Sequence, residues 1–187
     1  MKDYKTALEG KDRQIYESME DYRSWKRSPA GLLVTSGPIQ TIMDISTEVK
    51  KNGSPFGKLL KGFFEKNRER QLIFDERYDG SVGELYDMLS HTDGAANFDN
   101  GYLTAIKRYI EGVIRTGEDI EGGARHLAAA YASTKGLKSY VLSEERGNIT
   151  VFLDGRAALK SPGHEIRDSC DSQGKPVLNP DYLMLEV

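Results

Sequence analysis

The sequence has almost no cysteine. Cys170 stands alone, so an intrachain disulfide and a cysteine-built zinc site are both excluded. A reducing, cytoplasmic setting is the expectation that follows. No apolar run approaches the ~18–20 residues needed to span a bilayer, so no membrane partner is expected. Residues 1–14 lack the apolar stretch of a signal peptide. Histidine is also scarce: His91, His126 and His164 lie far apart and never form a His-Glu-x-x-His pattern, which argues against a zinc hydrolase. His126 reads as structural, with a role as a base near the acids as the other option. The Gly-x-x-x-x-Gly-Lys-Ser/Thr phosphate cradle, the Gly-x-Gly-x-x-Gly turn and the Gly-x-Ser-x-Gly elbow are all missing. A net charge of −3 gives the whole chain no general attraction for nucleic acid, which would need a local basic patch.

What remains is ordinary globular material. The 187 residues are 38% hydrophobic and 29% charged, enough to close one core. Helical spacing of Ile15, Met19, Tyr22 and Trp25 predicts a helix over residues 4–28, ended by Pro29. Gly31 to Val34 reads as a buried strand, followed by a tight turn and a helix from Ile39, with Ser36 as its N-cap. A helix over 56–70, a short strand at Leu72–Phe74 and a helix through Val82, Leu85 and Leu89 come next. Residues 91–101 are polar and rich in Gly and Asn, and read as a loop. Tyr102, Leu103, Ile106, Tyr109, Ile110, Val113 and Ile114 share a helical stripe, which predicts a helix over 102–116. An alanine-rich helix over 120–135 and strands at 139–142 and 148–153 complete the pattern.

Short apolar strands between helices imply an α/β fold with a mainly parallel central sheet and helices on both faces. The expected layout is one domain, with an N-terminal helix (1–28), a core (31–153) and an irregular tail (154–187) that covers the body or docks a partner. Ligands are expected beyond the carboxyl ends of the strands.

Acids recur just past those strand ends: Asp44, Glu84, Asp119, Glu121 and Glu144. Gathered carboxylates repel one another, so proteins that collect them usually hold a hard cation such as Mg²⁺ or Mn²⁺, which can activate water against a phosphodiester. Acids at helix amino ends also favour the helix dipole, which is the structural alternative. Lys58, Lys61 and Arg68 interleave with Phe56, Phe63 and Phe64 and can contact nucleic-acid phosphates. The plainer reading is an amphipathic helix with a solvated basic face.

Leu72-Ile73-Phe74 followed by Val82-Gly83-Glu84-Leu85-Tyr86 resembles a passage of PIN domains. So does the segment from Asp119 to Gly147, with its acid, alanine-rich helix, apolar strand and Ser-Glu-Glu. The resemblance covers roughly residues 31–153. It implies a PIN-like Mg²⁺- or Mn²⁺-dependent ribonuclease, with Glu84, Asp119 or Glu121, and Glu144 as the acids. Thr35 stands where the first acid of the family is expected, leaving Asp44 as a substitute or the site degenerate. The alternative is a noncatalytic module that binds RNA, a protein partner or a second copy, using Tyr22, Trp25 and Tyr182–Leu185.

Overall fold

The computed structural model describes residues 8–26, 31–49, 55–111 and 122–161. Its elements run α1 (Gly10–Trp25), β1 (Leu32–Ser36), α2 (Ile39–Asp44), β2 (Ser46–Glu48), α3 (Pro55–Asn67), α4 (Ser81–Ser90), β3 (Ala95–Asp99), β4 (Tyr102–Ile110), α5 (Ala124–Thr134), β5 (Lys138–Leu142), β6 (Ile149–Leu153) and β7 (Arg156–Lys160). The strands form one sheet in the order β2-β4-β3-β1-β5-β6-β7.

The α/β class holds, but the sheet is not mainly parallel. Only β1 and β3 run parallel; every other neighbouring pair is antiparallel. Two segments account for the difference. Residues 95–99, expected as a loop, form a central strand. Its alanines and Asn97 have weak strand preference, but they are buried between β1 and β4. There Thr35 Oγ1 donates to Asn97 Oδ1 (2.7 Å), and Asn97 Nδ2 donates to Thr104 Oγ1 (2.8 Å).

The stretch expected as the clearest helix is strand β4. Its pairing with β3 slips twice, around Ala95/Asn97 and around Asn97/Phe98, and Lys107 has a φ of 54°. Each slip adds a residue to β4 and reverses which face the next side chain meets. Leu103 and Ile106, three apart, therefore pack on one side, while Ala105 and Ile110 pack on the other. Two bulges thus turn a two-residue period into spacings that imitate a helix.

Several other elements sit near their expected places. Pro38 rather than Ser36 occupies the N-cap position of α2. Leu72 and Ile73 are buried, but this segment forms only isolated bridges, Gln71 with Tyr102 and Ile73 with Tyr78. Strand β7 lies in what was expected to be irregular tail. Residues 112–121 and 162–187, including Tyr182–Leu185, lie outside the described residues. Among the described residues, no helix is long and apolar enough to cross a membrane.

The sheet carries a core on each side. On one, α1, α3 and α4 bury Tyr16, Met19, Leu60 and Tyr86 against Val34, Phe98 and Tyr140. On the other, α2 and α5 bury Ile42, Ala129 and Ala132 against Leu33, Val141 and Phe152. The alternation of Leu32, Leu33 and Val34 between the two cores is the two-residue strand period at work.

Candidate functional site

A cleft of about 1260 Å³ opens on the α5 side of the sheet. Its walls come from the end of the sheet where β1 and β3 start and β4 and β5 finish. Leu33, Val141 and Ile110 give it an apolar floor, Asp93-Gly94 forms one wall, and Gly122 to His126 forms another. Ser143 to Arg146 and Lys160 complete the rim. Thr35, at the carboxyl end of β1, is buried and bonded to Asn97. The cleft therefore lies at the amino end of the parallel pair, not at the expected carboxyl end.

Among the described residues, the amino end of α5 has no side-chain cap. Gly123 holds the N-cap position and, having no side chain, makes no cap bond to the first turn. The first bonds of the helix run from the amides of His126 (3.0 Å) and Leu127 (3.3 Å) to the Gly123 carbonyl. That geometry leaves the Ala124 and Arg125 amides directed out of the helix end, where the helix dipole adds partial positive charge. Gly122 has a φ of 130°, and a Cβ there would run into the His126 ring. The Gly-Gly turn thus lets the chain enter the helix tightly over that imidazole.

Arg125 adds a full charge at the same place. Its Nη1 lies 3.4 Å from Glu144 Oε2, a pair at the surface that contributes only about 0–1 kcal/mol to folding. His126 is buried with its ring edge-on to Phe152. Burial first, then Lys160, Arg146 and Arg125, hold its pKa below the ordinary value of 6.5, with Glu145 opposing. The imidazole is therefore neutral at neutral pH.

Across the cleft, Gly94 has a φ of 102°, and a Cβ there would meet the Lys107 carbonyl carbon at 2.8 Å and the Arg108 nitrogen at 2.9 Å. Only glycine lets this turn lie against the β4 bulge, and the turn carries Asp93, which is exposed. Arg108 is buried and donates to Ser46, from Nε to Oγ (2.9 Å) and from Nη2 to the carbonyl (2.5 Å), so it braces β2. Tyr109 is 62% exposed at the edge of the sheet, but it alternates with Arg108 and Ile110, which face the α2/α5 side, so its ring belongs to the other face of the sheet. Asn148 is 2% exposed in the wall, and its Oδ1 has no hydrogen-bond partner among the described residues.

Of the acids expected from sequence, only Glu144 lines this cleft among the described residues. Glu84 is exposed on α4, whose core lies across the sheet. Asp44 is exposed at the end of α2 and accepts a hydrogen bond from Gln40 Nε2 (2.6 Å). Asp119 and Glu121 fall outside the described residues. Among the described residues, no group of three His, Cys, Asp or Glu side chains gathers as a metal cage. Lys58, Lys61 and Arg68 are exposed on and just past α3, while Phe63 and Phe64 pack toward the core on the side away from the cleft. Tyr22 belongs to that same core; Trp25 is exposed.

Asp93 and Arg125 were not among the candidates drawn from sequence. The available signal was Asp93-Gly94 directly ahead of Ala-Ala, and Gly-Gly directly ahead of an alanine-rich helix. Both put glycine where the backbone turns sharply into an element.

No model of a known protein family matches the chain, and no curated protein matches it. Among solved structures, the fold is similar to a hypothetical membrane spanning protein from Bacillus cereus, with a TM-score of 0.51 at 16% identity, over 82% of this chain. The chain spans 64% of the length of that protein. DacA from Staphylococcus aureus, solved as a double mutant, gives a TM-score of 0.45 at 19% identity over 77% of this chain and 83% of that one. At 16% identity, the Bacillus cereus likeness establishes a shared fold and nothing finer.

Proposed function

We propose that the α5-side cleft binds a phosphorylated ligand of nucleotide size. Phosphate groups would sit at the amino end of α5 beside Arg125, and a planar ring would lie over the apolar floor of Leu33, Val141 and Ile110. The observation behind this reading is the meeting of outward-directed helix amides and a guanidinium in one cleft that also has an apolar floor. Helix amino ends are suited to phosphate because their amides have no internal partner and the dipole favours negative charge. Arginine adds paired donors that match phosphate oxygens. The neutral His126 would add a hydrogen bond without adding charge. The floor offers an apolar surface for a base.

The charges named around the cleft balance: Arg108, Arg125, Arg146 and Lys160 against Glu48, Asp93, Glu144 and Glu145. Such a mixture suits a phosphate ligand that brings its own cation. Mg²⁺ typically binds through one or two carboxylates plus substrate phosphates, so the absence of a three-acid cage among the described residues is compatible with it. Asp93 and Glu144 are the oxygen donors that would hold Mg²⁺ or Mn²⁺ here. The ion would supply charge neutralisation at the phosphates.

RNA is the second phosphate-bearing ligand to weigh, through the PIN resemblance and the ribonuclease activity it implies. Glu144 at the rim is the observation that favours it, while the PIN-like assignment itself rests on the sequence motifs. Calorimetry with ADP and Mg²⁺ tests the first reading. We expect saturable binding that weakens about 10- to 100-fold in Arg125→Ala, the range for one lost charge-assisted bond. Lys58→Ala should bind as the parent does. Absence of heat from ADP, AMP or inorganic phosphate would refute a nucleotide cleft. Mg²⁺-dependent RNA cleavage that is lost in Glu144→Gln would favour the second reading.

A further inference from the structure

We infer that Gly31 is a positioning residue for Arg125, which deepens the phosphate-cleft reading and rests on it. Gly31 is buried and immediately precedes β1. Its backbone does not occupy the left-handed region, so conformation gives no reason for glycine here. Space gives one. A Cβ at residue 31 would overlap the Arg125 guanidinium, lying 3.0 Å from Cζ, and would touch the Glu144 Cβ at 3.4 Å. By contrast, Gly62, Gly80, Gly83 and Gly123 have no outside atom within 4 Å of such a Cβ.

The obstruction at Gly31 is the tip of a long, flexible side chain, whereas at Gly94 it is backbone. An alanine at 31 would therefore push the guanidinium aside and leave the fold intact. The missing methyl group at 31 seats the Arg125 head between β1 and Glu144, close to the amino end of α5. Fixing an arginine this way removes motion that phosphate binding would otherwise have to freeze.

The test uses the full chain and the variants Gly31→Ala, Arg125→Ala and the double variant. Magnesium ADP is titrated by calorimetry, and Tm is read for each protein. Gly31→Ala is expected to keep its Tm and to bind about tenfold more weakly, comparable to losing one well-made charged contact. In the Arg125→Ala background, the same change should have no further effect on binding. A purely structural role would lower Tm and persist in that background, and either result overturns the inference, as does failure of Gly31→Ala to fold. An independent reading without ligand is the Arg125 Nε–Hε resonance in NMR, assigned by its loss in Arg125→Ala. It should move in Gly31→Ala; an unmoved resonance overturns the inference. If wild type does not bind ADP, the nucleotide reading fails, and the resonance alone decides the role of Gly31.

Discussion

The two faces of the sheet are packed by different means. The α1/α3/α4 face is closed with bulk: Tyr16, Tyr86, Phe98 and Met19 are all essentially inaccessible. On the α5 side the helix brings only small side chains, Ala129, Ala130 and Ala132, against Phe152, Leu33 and Val141 of the sheet. Large side chains fill the first face, whereas alanines let α5 lie low on β5, β1 and β6. A low helix cannot cover the whole face, and its amino end looks into the open cleft. The face with less apolar bulk is thus the one that leaves room for a ligand.

Four changes probe this contrast, in order of expected size. Phe98→Ala empties the bulky face and should cost about 3–5 kcal/mol, seen as an early denaturant midpoint. Ala129→Leu overfills the tight face and should cost about 1–3 kcal/mol. It should also lift α5, so binding of magnesium ADP should weaken in the variant fraction that remains folded. Arg125→Ala should leave stability within about 0.5 kcal/mol, as surface changes do, while weakening that binding. If Arg125→Ala instead destabilises as much as Phe98→Ala, the division between a packed face and a binding face is wrong.

The smallest effect is a pH dependence. The imidazole of His126 protonates near pH 6.5 in the unfolded chain and only at lower pH in the fold. Below about pH 6.5 the unfolded state therefore binds the extra proton first, and stability falls as pH drops. Urea midpoints measured downward from pH 7.5 should decline more in wild type than in His126→Gln. Equal declines would remove any titrating role for His126.

Much of the fold could be read from residue pattern, where one period dominated. α1, α3 and α4 have plain helical periods, and β1, β5 and β6 are short apolar runs, so their places were visible. β3 and β4 were not. β3 is strand because buried neighbours bond Asn97, which is a tertiary effect. β4 is strand with two bulges, which erase its period. Misreading this pair changed the inferred sheet from mostly antiparallel to mainly parallel. The same pair hid the candidate cleft, since Asp93-Gly94 and Ile110 come together only once β3 and β4 are strands. Arg125 lay inside a helix already expected, but its guanidinium packs against Gly31, far earlier in the chain. Sequence spacing does not show such a contact.

The most direct test of the cleft is an amide NMR titration of the full chain with magnesium ADP. The largest shifts should fall on Ala124 and Arg125, with Asp93 and Gly94 also moving, and with the α3 residues Lys58 and Lys61 unmoved. Shifts centred on α3, or none at saturating ligand, would contradict a nucleotide site at the amino end of α5.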